Sequence, residues 1–383
     1  MESQNIEYKE VWKDEYLKWI CGFANANGGK IYIGINDKGI VSGVNDAKKL
    51  LEEIPNKTKD ILGIIVDVNL KAKSKKKYLE IVIEAYTYPI SHKGQYYYRS
   101  GSTKQELKGA ALDKFILRRY GKHWDSVPQP YFSIHELAKP AISYFKNKAL
   151  DAKRLSNEIL KEKTPQLLDK LHLKADNKYY KRACILLFHP NPEKYVTGAY
   201  VKIGFFNSDH DLAYQDEAHG FLFEQVEKTM DLLLSKYLKA IISYKGIHRI
   251  ETYPIPELAL REALLNAIIH KDYGSGNPIQ ISVYENKLMI WNAGELPINW
   301  TVADLKIKHS SQPNNPDIAN AFFRAGLIEA WGRGTINIIN ECKLAGVDIP
   351  VFKYDAAEFT IQFNFKAPKK TPLLFSTDDL NTT

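Results

Sequence analysis

The stretch EALLNAIIHKDY (262–273) decides how the rear of this chain is read, because it sets Glu262 and Asn266 four residues apart among Leu264, Leu265, Ile268 and Ile269. At 3.6 residues per turn the two polar side chains share one face of a helix whose remaining positions are apolar. A polar pair on such a helix needs a partner. Alternation after it predicts strands at 279–284 and 288–291, then a turn at Asn292-Ala293-Gly294, then the glycine-rich WGRGT (331–335) opening another helix. Glycines at a helix start let backbone N–H groups approach phosphate oxygens, and the helix dipole favours negative charge there.

Moving outward, the chain has 383 residues, 44% hydrophobic and 26% charged, enough for two or three domains with a sizeable core. No stretch approaches the roughly 20 apolar residues of a membrane helix, and the acidic start MESQNIE lacks a signal peptide's order, so a cytoplasmic protein without a membrane partner is expected. Cys21, Cys184 and Cys342 form no CxxC pair and read as buried thiols. The ten histidines contain no HxH or HExxH set, which argues against zinc, and no Walker A lysine motif is present. Net charge is +8, and residues 1–125 hold 22 Lys and Arg against 16 Asp and Glu, so most of the excess lies at the front. A basic front domain suits phosphate backbones; a lysine-rich solvated surface is the plainer alternative.

The expected fold class is α+β in three blocks: 1–126, a connector at 131–250, and 251–366, followed by a loose polar tail at 367–383. The two prolines of VPQP (127–130) mark the first boundary. In the front block ESQNIEYK (2–9) is helix-like, although Glu7 and Lys9 would share a face if it were a strand. Trp12, Tyr16, Leu17, Ile20, Phe23 and Ala24 recur at helical spacing. Asn27-Gly28-Gly29 ends that helix, and Ile31, Ile33 and Ile35 alternate as a strand does. A short helix at 46–51 and strands at 61–70 and 78–86, joined by a lysine-rich turn at 71–77, complete it. The connector reads as helices at 134–145 and 160–173, strands at 184–188 and 199–206, and a long helix with Leu222, Val226, Met230, Leu233, Tyr237 and Ile241 on one stripe. That order suits a packed connector or a winged helix.

Two constellations carry candidate chemistry in the front block. Glu2, Glu7 and Asp37 are spaced so that three carboxylates can meet at one sheet edge, the hard oxygen ligands that Mg²⁺ or Mn²⁺ prefer, with Lys9 beside them to face a scissile phosphate. Each also has a quiet explanation: a frayed terminus, a Glu7–Lys9 salt bridge, a turn residue. Tyr96, Tyr97, Tyr98 and Arg99, with Lys75, Lys76, Arg118 and Arg119, supply stacking faces and cations for nucleic acid. Alternation sends Tyr97 to the face opposite Tyr96 and Tyr98, so one face goes to the core and only one or two of the tyrosines, Tyr98 among the candidates, can stack on bases.

The Glu262–Asn266 helix, the Asn292-Ala293-Gly294 turn and WGRGT together resemble the Bergerat nucleotide-binding fold of gyrase, histidine-kinase and mismatch-repair ATPases, an α/β sandwich. The resemblance implies ATP with a divalent metal. Asn266 would be the metal ligand and Glu262 the general base, Gly332 and Gly334 would lie at the phosphates with Thr335, and Asn292 with Gly294 would stand where an aspartate and glycine usually read adenine. Asparagine there accepts one hydrogen bond but lacks the charge that strengthens it. The combination of FANANGGKIYIGIND (23–37), YYYRSGS (96–102), the Asn266 run and GLIEAWGRGT (326–335) is similar to bacterial Schlafen/AlbA-type proteins, which include regulators and helicase-related members. Animal Schlafen proteins include ribonucleases with a glutamate, glutamate, aspartate cluster, which would fall here on Glu2, Glu7 and Asp37. The resemblance therefore implies a nucleic-acid partner, RNA or DNA, with Arg99 of the YYYRSGS segment as a phosphate contact, self-association as a homodimer or higher oligomer, and one of two activities. One is metal-dependent endoribonuclease action on transfer-RNA-like substrates, in a setting such as phage defence. The other is ATP-responsive DNA binding without cutting, as in a transcriptional regulator.

Overall fold

Alternation builds the front unit around one sheet. The computed structural model describes residues 2–176, 178–245, 247–297, 300–329 and 332–365, and the chain divides into two compact units, residues 1–122 and 123–383. In the first, β1 (Ile6–Lys9) pairs in parallel with β2 (Gly29–Ile33), and β2 pairs antiparallel with β4 (Lys76–Ile83), which forms a hairpin with β3 (Asp67–Lys73). Ile31, Ile33, Leu79, Ile81 and Ile83 face inward and are buried, covered by α1 (Leu17–Ala24) and α2 (Ala47–Leu62). A second hairpin, β5 (Tyr96–Ser100) with β6 (Thr103–Leu107), packs on α1 and is followed by α3 (Gly109–Arg119). The chain leaves α1 through Gly28, whose φ of +70° favours glycine and where a Cβ would stand 2.7 Å from the Ile83 carbonyl oxygen.

Several front elements differ from the sequence reading. Residues 2–9 contribute strand β1 rather than a helical stretch, because its only buried side chain is that of Glu7 and the segment completes the sheet beside β2. The helix begun near 46 runs on to Leu62, and the lysines of 71–77 lie mostly in β3 and β4, with the turn confined to Ser74 and Lys75, both at positive φ.

The second unit opens with the two-residue pair β7 (Pro128–Gln129) and β8 (Tyr180–Lys181), with α4 (Lys139–Asp151) and α5 (Thr164–Lys170) between them. After β8 come α6 (Arg182–Phe188), β9 (Val201–Ser208), β10 (Asp211–Ala218) and α7 (Leu222–Leu232). A separate hairpin, β11 (Ile241–Lys245) with β12 (His248–Thr252), precedes α8 (Glu257–His270), β13 (Ile279–Val283) and β14 (Lys287–Ala293). The unit closes with α9 (Pro316–Arg324), α10 (Gly334–Leu344), β15 (Val351–Asp355) and β16 (Glu358–Asn364). Its six-stranded sheet has the order β10-β9-β13-β14-β16-β15, antiparallel except where β9 meets β13.

One hydrophobic core runs from Ala141 to Phe363, so the segments 131–250 and 251–366 fold as one unit, not as a connector and a separate rear domain. The strands β9 and β10 of the supposed connector extend the rear sheet, which replaces the winged-helix alternative. The run 184–188 is helix α6, not a strand: an apolar run of five buried on every side has no periodicity to tell the two apart. The stripe from Leu222 holds through α7 and a following wide turn, Leu233–Tyr237, but Ile241 begins β11. Asn292 lies inside β14 rather than in a turn. The expected tail, 367–383, lies outside the described residues. Helices and strands in mixed sheets make the chain α+β, and no described helix is long and apolar enough to cross a membrane.

Asp125 ties the start of this unit to α9. Its Oδ2 accepts hydrogen bonds from the Asp317 and Ile318 backbone N–H groups (2.8 and 3.1 Å), while its Oδ1 is buried without a partner. Burial, then the neighbouring Asp317, push its carboxyl from 3.8 up to about 7. The folded chain then holds a proton that the unfolded chain releases across that window, so this group's contribution to stability is present at low pH and falls as pH rises from about 4 to about 7. Asp125→Asn keeps the acceptor and removes the titration. Thermal unfolding should show the variant gaining on wild type across that pH range, and parallel curves would refute the assignment.

Candidate functional site

Burial of Glu7 organises the front candidates. Its side chain is 1% exposed. Oε2 accepts from Arg99 Nη1 at 2.7 Å, and Oε1 pairs with Lys9 Nζ at 2.5 Å. Arg99 is itself fully buried; its Nη2 donates to the Ser3 and Ile6 carbonyls (2.7 and 3.2 Å), and its guanidinium lies 4.9 Å from the ring centres of both Trp19 and Phe23. Burial pushes the Glu7 carboxyl up, and the two cations pull it back. Lys9, over Trp19 and Tyr16, also reaches Glu2 at 3.5 Å, and Glu2 Oε1 accepts from the Tyr8 N–H.

Glu2, Glu7 and Lys9 are thus brought together, but Asp37 does not complete a metal cluster with them. It is exposed in a turn closed by Asn36, whose Oδ1 accepts from the Lys38 and Ile40 N–H groups. Among the described residues no three His, Cys, Asp or Glu side chains are grouped to hold a metal. Both Glu7 oxygens are engaged by cations, so the trio departs from the three-carboxylate arrangement its spacing suggested.

The nucleic-acid candidates divide similarly. Arg99 is a buried countercharge and not a surface phosphate contact. Arg119 donates to the Tyr86 and Asn25 carbonyls, tying α3 to the end of α1. Tyr98 is half-buried against Phe115, as is Tyr96, while Tyr97 is buried in the core. Lys75, Lys76 and Arg118 are exposed.

At the rear every sequence candidate converges. Glu262, Asn266, Asn292, Gly294, Gly332, Gly334 and Thr335 all line one pocket. Helix α8 presents Glu262 and Asn266, and α10 packs against α8 with its first residue over that pair: a Cβ on Gly334 would stand 2.5 Å from Glu262 Oε1 and 2.7 Å from Asn266 Nδ2. Gly332 has φ of +64° and a Cβ there would meet the His309 carbonyl oxygen at 2.4 Å. A side chain on Gly294 would strike the His270 carbonyl oxygen at 2.5 Å and Asn292 Nδ2 at 3.0 Å. Thr335 donates to the Leu305 carbonyl at 2.5 Å, and Asn292, 2% exposed, to its neighbour Ala293.

The wall behind the pocket is held by the end of α8. Asn314 Nδ2 donates to the His270 carbonyl (2.8 Å), and Asn315 Nδ2 to those of Ile269 and Lys271 (2.8 and 2.7 Å), satisfying carbonyls that a helix end leaves open. Burial, then His309, push the His270 imidazole down to about 4, so it is neutral near pH 7. Burial pushes the Glu262 carboxyl up, against the pull of Arg261.

Arg333 and His309 also line the pocket, as do Trp300 and Glu329, and sequence reasoning missed them; the first lies inside WGRGT, where the glycines drew the reading. The residues fit a phosphate-bearing group with a divalent cation. The Asn266 side chain lies beside the Glu262 carboxylate, the glycines leave space next to the pair, Arg333 supplies positive charge at the start of α10, and Glu262 with the Asn266 amide oxygen supplies oxygen donors.

Residues 2–108 match the family model described as Schlafen, AlbA_2, and residues 276–363 match that of the putative ATP-dependent DNA helicase recG C-terminal region. The DIP2311 protein from Corynebacterium diphtheriae shares the fold, with 18% identity over 95% of this chain and 76% of that one, at a TM-score of 0.52. The N-terminal domain of a RecG-related protein from Nitrosomonas europaea matches at 21% identity over 27% of this chain and 83% of its own, with a TM-score of 0.21. Among curated proteins none matches. A Schlafen/AlbA_2 domain in front and a RecG-like C-terminal ATPase-type domain behind are the parts of a nucleic-acid-related, ATP-binding protein.

Removing one member of a buried ion pair strands the other. Arg99→Ala should therefore cost about 3–5 kcal/mol in urea unfolding. The Glu7→Gln, Arg99→Ala double variant should lose less than the sum of its singles. Additive losses would mean the pair is not coupled.

Proposed function

We propose that this chain is an ATP-responsive regulator that binds nucleic acid through its front unit without cutting it. The observation that carries the reading is the convergence of Glu262, Asn266, Asn292 and the three glycines on one pocket, with no side chain from the glycines to fill it. There Asn266 would hold a divalent cation through its amide oxygen and Asn292 would accept a hydrogen bond from the base. Gly332 and Gly334, with the first N–H groups of α10, would admit the phosphates, next to Arg333. Bound ATP supplies a polyanion with its cation, which is what the carboxylate, amide and guanidinium lining the pocket suit. Glu262, half-buried with its carboxyl pushed up, is the group able to take a proton from a water, so slow hydrolysis is within reach of this arrangement.

Binding without cutting is favoured for the front unit because Glu7 spends both oxygens on Arg99 and Lys9. The basic balance of residues 1–125 supports a polyanionic partner.

Titration calorimetry with ATP and Mg²⁺ should give binding in wild type, a loss of at least tenfold in Asn266→Ala, and a comparable loss in Gly334→Val, which fills the space beside Glu262. Unchanged affinity in both would remove the nucleotide site. Incubated with transfer RNA and Mn²⁺ or Mg²⁺, wild type should leave the RNA as intact as the Glu7→Gln, Asp37→Ala variant does. Cleavage by wild type alone would reinstate the nuclease.

A further inference from the structure

The inner face of the front sheet is spent on the core, but its outer face carries an aromatic row that folding does not explain. Tyr8 of β1 lies opposite Tyr32 of β2, with ring centres 5.7 Å apart, and Tyr32 lies 6.2 Å from Tyr78 on β4. Tyr32 itself stands opposite Glu80, which makes Tyr78 its diagonal neighbour; Lys71 of β3 stands opposite Tyr78, so the four side chains form a diagonal across all four strands. The three rings are half-exposed and Lys71 is exposed. The solvent face of a one-sided sheet is ordinarily polar, and three adjoining tyrosines depart from that pattern.

Charge on this face points the same way. Its central acid, Glu80, is already taken: Oε1 accepts from the Tyr32 hydroxyl at 3.1 Å and pairs with Lys30 at 3.2 Å. That bond anchors the Tyr32 ring by its tip. Beyond the row, Lys73 stands directly opposite Lys76, with Lys75 at φ of +61° in the turn between them. Like charges directly opposite one another destabilise a hairpin. A polyanion along this edge would relieve the repulsion.

We infer that the outer face of the front sheet is a binding surface for single-stranded nucleic acid, with unstacked bases on Tyr8, Tyr32 and Tyr78 and backbone phosphates along Lys71, Lys73 and Lys76. A four-stranded sheet bearing aromatic rings is suited to this, since every base has a face to stack while lysines follow the backbone. A duplex hides those base faces within its own stack. The inference rests on the reading of the front unit as a nucleic-acid binder, and names the face and the strandedness that reading leaves open.

The full chain is tested by fluorescence anisotropy with labelled DNA and RNA single strands of about 20 nucleotides, longer than one module's usual footprint, and with a duplex of the same sequence. Tyr32→Ala with Tyr78→Ala should weaken single-strand binding at least tenfold. Phenylalanine at both positions should stay within about twofold of wild type, since the stacking face is kept. Lys73→Ala with Lys76→Ala should flatten the dependence of log affinity on log salt by about 1.4. Photocrosslinking to a bromouridine-bearing strand supplies a readout that needs no variant, and the labelled peptides should contain Tyr8, Tyr32 or Tyr78. Crosslinks confined to other segments, wild-type affinity in the alanine pair, preference for the duplex, or tighter binding of a polyglutamate peptide at this face would each overturn the inference and leave nucleotide binding untouched. If the DNA and RNA arms differ, the tighter names the natural strand. Absence of any nucleic-acid binding by wild type would overturn the front-unit reading as well.

Discussion

A carboxylate buried on an edge strand has to be compensated, and the front unit is arranged around that requirement. Glu7 is the one buried side chain of β1, and Arg99, ninety-two residues away, meets it from the second hairpin. An unpaired charge in such a place would cost several kcal/mol, so β1, α1 and β5 are held together by a group that none of them satisfies alone. The arginine also bonds carbonyls of the chain entering β1 and is flanked by two aromatic rings, which fixes that strand beside β2. Asn25 repeats the device at the other end of α1, donating to the Ile90 and Tyr97 carbonyls and accepting from the Ile90 N–H.

What was legible in the sequence follows from distance along the chain. Glu262 and Asn266 are one helical turn apart, so their common face needs no tertiary knowledge, and the nearby glycines of WGRGT could be placed against phosphates by local geometry alone. The burial of Arg99 was not legible. Its tyrosine neighbours alternate correctly, with Tyr97 inward, but that same alternation sends Arg99 inward too, and only the buried glutamate supplies a reason for an arginine to go there. The helix at 182–188 was misread because six consecutive buried residues show neither a period of two nor one of 3.6. Merging the connector with the rear sheet depended on the parallel pairing of β9 with β13, a contact across more than seventy residues that no local pattern announces. The division of faces on the front sheet was half visible: alternation at Ile31 and Ile33 was clear, whereas the row formed with Tyr8 and Tyr78 depends on strand order.

Both units bury a polar constellation beneath glycine or aromatic neighbours, and the difference between them lies in whether that constellation opens onto a cavity. Around Glu7 both oxygens and both terminal nitrogens of Arg99 are engaged, and its remaining Nε, which lacks a partner, belongs to a guanidinium set between two rings. Lys271, buried behind the rear pocket without a hydrogen bond, has the Tyr273 ring 4.3 Å from its ammonium. These are closed arrangements, whose function is to specify a fold. Asn266 is different. Its amide sits beside the Glu262 carboxylate at the wall of a cavity, the residue facing both is a glycine that offers no side chain, and the pocket is lined with groups of both charges. Burying a carboxylate and an amide together at that depth carries a desolvation cost, which the fold could have avoided with apolar residues of similar size. Keeping that pair at the wall of a cavity opposite a glycine is what separates a site shaped for a ligand from a polar group kept only to hold the chain together.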